Sequence, residues 1–416
     1  MMGSHRVYAG PLQGVNPTAS STTDTTGRER RVVVLDGLRG LMTILVIVSH
    51  FFGEVPHGLR PTMLGWLAVD MFFVLSGYLI GKLIIERKQH ANFFTVFYVR
   101  RFCRIIPPYF TTVLILFGLL ALMRQPWVDA DIRFPLWSYL SFNQNFFMIS
   151  TDGIGAHWLA PTWTLAVEEH FYLAIPAFIV FIPTRRLVAV LLAVVIVAVL
   201  LRIAIYRFGL LPDMAALVLL PSRADILVCG ILAAIAHKTR GIPWQLIQLP
   251  LRLTPIIMLV GSFGLKLLDN GSFETIGPLL VAIGCAAFLL TIVLGAPEAK
   301  RFHSPVLRFF GDNGYCLYLT HLPVLGLMHG LILGTRPDVA TLSQWLVTLA
   351  ALPVCTLVGW GMTRLIEEPG TGYGRSWHWS SQLRSPHRKP KMSGLTLPQQ
   401  ASNDATHPPV AAAKML

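Results

Sequence analysis

The chain alternates between long apolar runs and short polar segments along most of its 416 residues. Ten of these runs reach, or nearly reach, the roughly 20 helical residues that cross the hydrocarbon core of a bilayer. They cover residues 35–54, 63–85, 105–123, 162–182, 187–206, 223–237, 251–268, 276–295, 315–334 and 343–366. The sixth run is short and the first carries charge, so nine or eleven spans are the alternatives to ten. The pattern therefore predicts an all-α fold, a polytopic integral membrane bundle of about ten transmembrane helices.

Composition supports this class of protein and excludes others. Apolar residues make up 54% of the chain and charged residues only 13%, whereas an average soluble domain carries roughly 25% charge. A soluble globule, a disordered protein and a disulfide scaffold are thereby excluded. The five cysteines form no CxxC pair, so neither a disulfide framework nor a metal site is indicated.

The net charge of +13 does not indicate a nucleic-acid partner, because the basic residues lie in short clusters between the apolar runs. Four inter-span loops are rich in Lys and Arg: 86–104, 183–186, 238–252 and 296–314. The intervening loops are poorer in these residues: 54–62, 124–161 and 335–342. By the positive-inside rule, we expect the basic loops and both termini on the cytoplasmic side, which requires an even number of spans.

Three regions are expected along the chain. Residues 1–31 are rich in Ser, Thr and Gly and predict a disordered cytoplasmic tail, and residues 371–416 predict a second one, basic and rich in proline. Residues 32–370 form the membrane domain between them. Within this domain, the aromatic loop 124–161 favours a segment that lies at the membrane interface or folds back into the membrane.

Ionisable residues inside the spans are the first candidates for function, because lipid makes them expensive to keep. Arg39 and His50 are eleven residues apart in the first span. That spacing places them on one helix face with an axial separation of about 16 Å. We expect Arg39 near the cytoplasmic surface and His50 deep, towards the far side. The alternative is that Arg39 extends to the interface and His50 only bonds a neighbouring helix.

Three other spans carry polar groups. Glu168 and Glu169 are adjacent, so we expect at most one of them to face a cavity, and a structural ion pair with an intramembrane Arg is the alternative. Arg223 and Asp225 lie at the outer end of the sixth span, where ion pairs to other spans are expected. In the ninth span, Tyr318 and His321 share a helix face, with a proline two residues after the histidine.

An arginine cluster, RRFCR, precedes the third apolar run and contains Arg101 and Arg104. It serves either as a topology signal or as an anion site, because guanidinium groups bind phosphate with paired donors. The chain has no Walker loop, no GxGxxG after a strand, no HExxH and no GxSxG. ATP-driven transport, dinucleotide chemistry and metalloproteolysis therefore have no support.

A set of motifs resembles the acyltransferase-3 family of membrane acyltransferases. The motifs occur in order between about residues 32 and 370: LDGLRG with SH nine residues later, VDMFFVLSGYLI, RRFCRIIPPY, PTWTLAVEEHFYL, SRADILVCGILAA, FFGDNGYCLYLTHLPV and IEEP. The chain departs from the family within one stretch, where Ala166 replaces the usual serine and His170 replaces the usual glutamine after the two glutamates. Both carboxylates of the stretch are kept.

The resemblance implies an integral membrane O-acyltransferase in the cytoplasmic (inner) membrane of a bacterium. Such an enzyme moves an acyl group, most often acetyl, from a coenzyme A thioester to a hydroxyl of a carbohydrate or glycosylated acceptor. The implied co-substrate is acetyl-CoA or another acyl-CoA, with no metal. Because the chain ends soon after the last span, we expect no fused extracytoplasmic domain. Three alternatives stay open for completing the acylation of the acceptor: the membrane domain itself, a separate partner protein or a homo-oligomer.

The expected mechanism assigns roles to particular residues. Arg39, Arg101 and Arg104 would bind the donor phosphates, and His50 would act as general base on the acceptor hydroxyl. Glu168 would orient His50, hold the acceptor or relay the proton, with Glu169 as the fallback. An acyl-imidazole on His50 is the alternative route. The remaining polar candidates are expected to bind substrate or to stabilise the structure: Asp36, Arg223, Asp225, Tyr318 and His321.

Two other classes of protein compete with this interpretation. A non-catalytic transporter or flippase of a polar glycoconjugate would also line its path with buried Arg, His and Glu. A membrane-bound O-acyltransferase of the other large superfamily is disfavoured, because the Arg-x10-His spacing and the RRxxR-type cluster are not part of that pattern.

Overall fold

The computed structural model describes residues 22–62, 65–123, 125, 127–128, 134–239, 244–268 and 271–381. Every regular element within these ranges is helical. The fifteen α-helices are α1 Thr22–Val48, α2 Gly65–Arg87, α3 Phe93–Leu122, α4 Leu136–Leu140, α5 Gln144–Thr151, α6 Thr162–Phe181, α7 Thr184–Phe208, α8 Met214–Val218, α9 Leu220–Lys238, α10 Trp244–Leu267, α11 Ser272–Val293, α12 Pro305–Asp312, α13 Gly314–Leu333, α14 Leu342–Met362 and α15 Glu368–Ser376. Short 3-10 or π-helical segments flank them: Ser49–Gly53, Arg60–Thr62, His157–Leu159, Pro297–His303 and Thr363–Glu367.

Ten helical segments of the described chain are long and apolar enough to cross a membrane: Val33–Gly53, Arg60–Arg87, Phe93–Leu122, His157–Phe181, Thr184–Phe208, Met214–Lys238, Leu246–Leu267, Ser272–Val293, Gly314–Leu333 and Leu342–Ser376. Each of them overlaps one of the ten apolar runs. The all-α class, the multi-pass architecture and the expected number of spans are therefore confirmed.

The third span shows why hydropathy alone misplaces a boundary. Helix α3 begins at Phe93, twelve residues before the apolar run that starts at residue 105. The intervening turns carry Arg101 and Arg104, which a search for apolar residues discards. Inside the bundle, these side chains face a cavity rather than lipid, so the helix continues through them.

The two expected tails differ from the structure where it describes them. Helix α1 begins at Thr22, inside the segment 1–31, and α15 continues to Ser376, beyond residue 370. After α15 the chain stays on α3, because Arg100 donates from Nε and Nη2 to the Trp377 carbonyl at 3.1 and 2.7 Å. The rest of the two tails, 1–21 and 382–416, lies outside the described residues.

Glycines allow two helix pairs to approach at backbone distance. A Cβ on Gly40 of α1 would overlap the Leu307 carbonyl of α12, and one on Gly230 of α9 would overlap the Val74 carbonyl of α2. Small residues are the usual means of close helix packing in membranes, where no hydrophobic force drives helices together. Gly40, the second glycine of the LDGLRG motif, thus allows α1 and the neighbouring Arg39 to pack directly against α12.

Two buried ion pairs join helices of the bundle. Arg202 of α7 makes two hydrogen bonds to Asp225 of α9, at 2.9 and 2.6 Å, and both side chains are at most 1% exposed. Arg223 of α9 donates to Asp70 of α2 at 2.5 Å. The Arg202 guanidinium also reaches the Thr275 carbonyl of α11 at 2.8 Å. The two ion pairs, with the bond from Arg202 to α11, therefore hold four helices together.

The aromatic segment between α3 and α6 folds onto the bundle. Its helices α4 and α5 have five and eight residues, too few to cross a membrane. Trp158 packs against Gly326 of α13, and Asn145 donates to the Val218 carbonyl at 2.7 Å. Residues 124, 126 and 129–133 of this loop lie outside the described residues, and its place at the membrane interface stays a prediction.

Candidate active site

A cavity of about 160 Å³ lies among helices α1, α2, α3, α6 and α13. Its walls combine apolar side chains with an unusual number of charged and hydroxyl groups for the interior of a membrane protein. The polar lining consists of Arg39, Ser76, Arg101, Arg104, Thr164, Glu168, Glu169, Tyr172, Tyr315 and Tyr318. Because charge inside a membrane is expensive, this concentration marks the cavity as the candidate site.

Three guanidinium groups meet at the cavity although they come from two helices. Arg101 and Arg104 are three residues apart, so they project from one face of α3, and Arg39 joins them from α1. The Arg101 guanidinium lies 5.3 Å from the centre of the Tyr172 ring. Arg39 pairs with Asp36 at 3.0 Å, which places this sequence-predicted carboxylate beside the arginines.

A further carboxylate partners the arginine cluster. The Arg104 Nε atom is 3.5 Å from Oε1 of Glu367, a buried residue of the π-helical segment after α14. The other Glu367 oxygen accepts from the Cys316 thiol at 3.4 Å. Glu367 belongs to the IEEP motif, so this motif supplies a carboxylate partner for Arg104.

Both adjacent glutamates, Glu168 and Glu169, line the cavity, so the expectation that at most one of them would do so is wrong. Neighbouring residues on a helix point about 100° apart, but this cavity extends from α2 to α3 around the side of α6. The Glu168 carboxylate lies within hydrogen-bonding reach of Ser76 and Tyr172, whose hydroxyls are 2.5 Å apart. Glu168 is thereby fixed between α2 and its own helix.

His50 does not line this cavity but belongs to a separate cluster at the other end of its span. Its Nδ1 atom is 3.1 Å from Nε2 of His321 and 3.0 Å from the Val46 carbonyl. Its Nε2 atom is 3.5 Å from Oε2 of Glu54. The expected orientation of His50 by Glu168 is therefore absent among the described residues, and Glu54 is the carboxylate that faces the imidazole.

The local backbone explains this arrangement. The first span ends in a π-helical turn, Ser49–Gly53, in which the Glu54 N–H donates to the Ser49 carbonyl at 2.9 Å. The Ser49 hydroxyl donates to Oε1 of Glu54 at 2.9 Å and holds this carboxylate beside His50. Single π-helical turns inside α-helices occur frequently at functional sites.

Tyr318 separates the arginine-lined cavity from the histidines. It lines the cavity, and its ring centre is 5.6 Å from that of His321. Its hydroxyl donates to the Pro161 carbonyl at 3.1 Å and shares a hydrogen bond of 2.9 Å with Thr164. The two polar clusters are therefore neighbours with one side chain between them.

Sequence reasoning missed several residues of these two clusters: Glu54, Ser76, Tyr172, Tyr315 and Glu367. Glu54 had a readable signal, since it is four residues after His50, the spacing of side chains that meet on a helix. Tyr315, which donates to the Ile105 carbonyl at 2.9 Å, had none. No group of three or more His, Cys, Asp or Glu within the described ranges is placed to hold a metal ion.

Comparison with known proteins places these motifs in a family. The family model described as "Acyltransferase domain" matches residues 32–364. The chain is 28% identical over 346 residues to the peptidoglycan O-acetyltransferase OatA of Listeria monocytogenes, covering 76% of this chain and 53% of the relative. It is 26% identical over 316 residues to the O-acetyltransferase OatA of Staphylococcus aureus, covering 70% and 50%.

The chain thus spans about half the length of the curated relatives it matches. No solved structure matches it. The family model covers most of the membrane domain, including every span that contributes to the arginine-lined cavity and to the His50 cluster. The chain therefore belongs to the acyltransferase-3 family.

Proposed function

We propose that this protein is an integral membrane O-acetyltransferase that moves an acetyl group from acetyl-CoA to a hydroxyl of a carbohydrate acceptor. The observation that carries the proposal is the intramembrane cavity in which three arginines face two glutamates, next to a histidine pair. The relatives contribute the acetyl group and the carbohydrate class, since the Listeria protein is described as a peptidoglycan O-acetyltransferase. Peptidoglycan fragments are therefore the first acceptor to test.

The donor end of the proposal rests on the arginines. Coenzyme A carries several phosphates, and guanidinium groups bind phosphate through two parallel donors. We place the acyl-bearing end of the donor in the cavity of about 160 Å³. We place the phosphates at the mouth formed by Arg101 and Arg104, with Arg39 deeper in the cavity.

The acceptor end rests on His50. A carbohydrate hydroxyl is a poor nucleophile, and a neutral imidazole is suited to remove its proton near neutral pH. In the proposed reaction, the hydroxyl proton passes to His50 while the oxygen forms a bond to the thioester carbonyl carbon. The carbon–sulfur bond then breaks, and the thiolate leaves with the proton that His50 returns.

The proposed orientation in the membrane follows from the charges. Ten spans, with the basic loops on one side, support cytoplasmic termini and a cytoplasmic mouth for the arginine-lined cavity. The bacterial sources of the relatives support the cytoplasmic membrane of a bacterium as the location. In that orientation the donor would enter from the compartment that contains coenzyme A.

The proposal is tested by the release of free coenzyme A from acetyl-CoA by the purified protein in the presence of peptidoglycan fragments. Replacing the base, His50→Ala, is expected to lower turnover about a hundredfold or more, the usual contribution of general base catalysis. His170→Ala is the matched control, because His170 lies against Phe146 and does not line the cavity. It is expected to retain normal turnover.

An active His50→Ala protein would contradict the assignment of the base. Transport of the carbohydrate across a vesicle membrane without loss of the thioester would contradict the enzyme itself and favour a transporter. Both results can be measured on the same preparation, because the free thiol of coenzyme A and the movement of the carbohydrate are measured independently.

A further inference from the structure

The hydrogen bonds around His321 determine which of its nitrogens carries the proton. Its Nδ1 atom is 2.7 Å from the Tyr318 carbonyl oxygen, which can only accept. Nδ1 of His321 is therefore the protonated nitrogen, and in the neutral ring Nε2 carries a lone pair. The side chain is fully buried, so the protein alone sets this choice.

The same reasoning extends to His50. Its Nδ1 atom faces two acceptors, the Nε2 lone pair of His321 at 3.1 Å and the Val46 carbonyl at 3.0 Å. A nitrogen between two acceptors must be the donor, so Nδ1 of His50 carries the hydrogen. The free lone pair of His50 is consequently on Nε2.

Glu54 lies where this lone pair points. Its Oε2 atom is 3.5 Å from Nε2 of His50, and its side chain is 42% exposed. The distance is longer than a good hydrogen bond, as expected for two acceptors with no proton between them. A proton that arrives on Nε2 would therefore find a carboxylate in place to stabilise the imidazolium.

We propose that His321 and Glu54 are positioning residues for His50, an inference that rests on the proposed function. Together with the Val46 carbonyl, His321 holds the hydrogen of His50 on Nδ1, so that Nε2 is the basic atom. Glu54 stabilises the charged ring after the acceptor O–H bond breaks and the N–H bond at Nε2 forms. The proton leaves again with the thiolate, so neither positioning residue gains or loses one.

The role of His321 is tested by two substitutions with opposite expectations. Gln can place its side-chain oxygen where Nε2 of His321 accepts, whereas Leu cannot accept at all. His321→Leu is expected to lower kcat about tenfold or more, since only the Val46 carbonyl is then left to hold the hydrogen on Nδ1 of His50. His321→Gln is expected to recover activity to within about threefold of the parent. The KM for acetyl-CoA should stay unchanged in both variants.

The role of Glu54 is tested with a matched carboxylate. Glu54→Gln is expected to lower kcat about tenfold, because the charge that stabilises the imidazolium is lost. Glu274→Gln is the control, since Glu274 pairs with Lys266 at a span end far along the chain from either cluster. It is expected to leave kcat unchanged.

A double-mutant cycle separates this inference from the proposed function. If Glu54 acts through His50, adding Glu54→Gln to His50→Ala causes no further loss of the residual turnover. A further tenfold loss would overturn the positioning role and leave the base assignment intact. Equal activity of His321→Leu and His321→Gln would overturn the tautomer assignment. Full activity of His50→Ala itself would instead refute the base assignment on which this inference rests.

Discussion

At the scale of single residues, the type of basic residue distinguishes the two interpretations of the arginine cluster. A topology signal needs only positive charge, which Lys provides as well as Arg. A phosphate site needs the planar fork of the guanidinium, which Lys lacks. Arg101 and Arg104 line a cavity, and Arg101 stacks on Tyr172. Only a phosphate site requires this geometry.

Conservative substitution of these arginines therefore gives a direct prediction. Arg101→Lys and Arg104→Lys are expected to insert normally but to bind the donor more weakly, by about 1–3 kcal/mol for each lost charge-assisted contact. The measurement is the KM for acetyl-CoA, with acceptor KM as the internal reference. Arg185→Lys, at an exposed position in the first turn of α7, is the control. An unchanged KM for acetyl-CoA in both variants would indicate that the cluster is only a topology signal.

The charged residues of the site could be predicted from the sequence, but their arrangement could not. Arg39, Glu168 and Glu169 were identified because charge inside an apolar run stands out, and Arg101 and Arg104 because they form an arginine cluster directly before such a run. Their meeting in one cavity depends on how five helices pack, which no spacing within a helix encodes. The partner of His50 was misassigned for the same reason.

At the scale of elements, hydropathy predicted all ten spans because each contains a long, mostly apolar stretch. It did not predict which helices touch. That information lies in glycines such as Gly40 and Gly230, where backbones meet, and in buried charges such as Arg202 and Asp225. A charge in the middle of a span weakens the apolar signal, although it stabilises the packing of two helices.

The Arg202–Asp225 pair gives a prediction about stability. Asp225→Asn leaves the guanidinium buried without its counter-charge and is expected to lower the free energy of unfolding by about 3 kcal/mol or more. Replacing both partners, by Arg202→Met and Asp225→Leu together, is expected to recover much of this loss, because no buried charge remains. The measurement is unfolding in detergent by denaturant. A double variant less stable than Asp225→Asn would contradict the explanation.

His57 and Asp338 join the loops 54–62 and 335–342. The contribution of this pair to stability depends on pH. Burial raises the pKa of Asp338, but hydrogen bonds from the His57 side chain, the Val339 N–H and the His57 N–H outweigh it and hold the pKa below its ordinary value. A carboxyl with a lowered folded-state pKa stabilises the protein above its unfolded pKa of about 3.9 and loses this effect as the pH falls through the folded value.

We therefore expect Asp338→Asn to lower the melting temperature at about pH 6 and to show a smaller difference from the parent at about pH 3. Thermal unfolding in detergent at the two pH values measures this difference. Because His57 is largely exposed, the effect should be small. A difference that grows as the pH falls would contradict the assignment.

At the scale of the whole molecule, the first span connects two polar clusters. Arg39 belongs to the cavity with the arginine cluster, and His50 belongs to the histidine pair near the other end of the same span. Tyr318 lies between the clusters and contacts both. In the proposed reaction, the thioester would approach His50 past this side chain, from a donor bound at the arginines.

The orientation of the bundle is a separate prediction. Reporter fusions after residue 90, between α2 and α3, and after residue 153, beyond α5, are expected to report opposite sides of the membrane. The first should be cytoplasmic, because its loop is rich in Lys and Arg. The same side for both fusions would contradict the ten-span map.

The central claim is that an acetyl group passes from coenzyme A to a carbohydrate hydroxyl with His50 as the base. Its most direct test is mass spectrometry of peptidoglycan fragments after incubation of the purified protein with acetyl-CoA whose acetyl group carries an isotope label. We expect labelled ester and free coenzyme A in equal amounts, and about a hundredfold less of both with His50→Ala. Loss of thioester without labelled ester, or equal labelling by His50→Ala, would contradict the account.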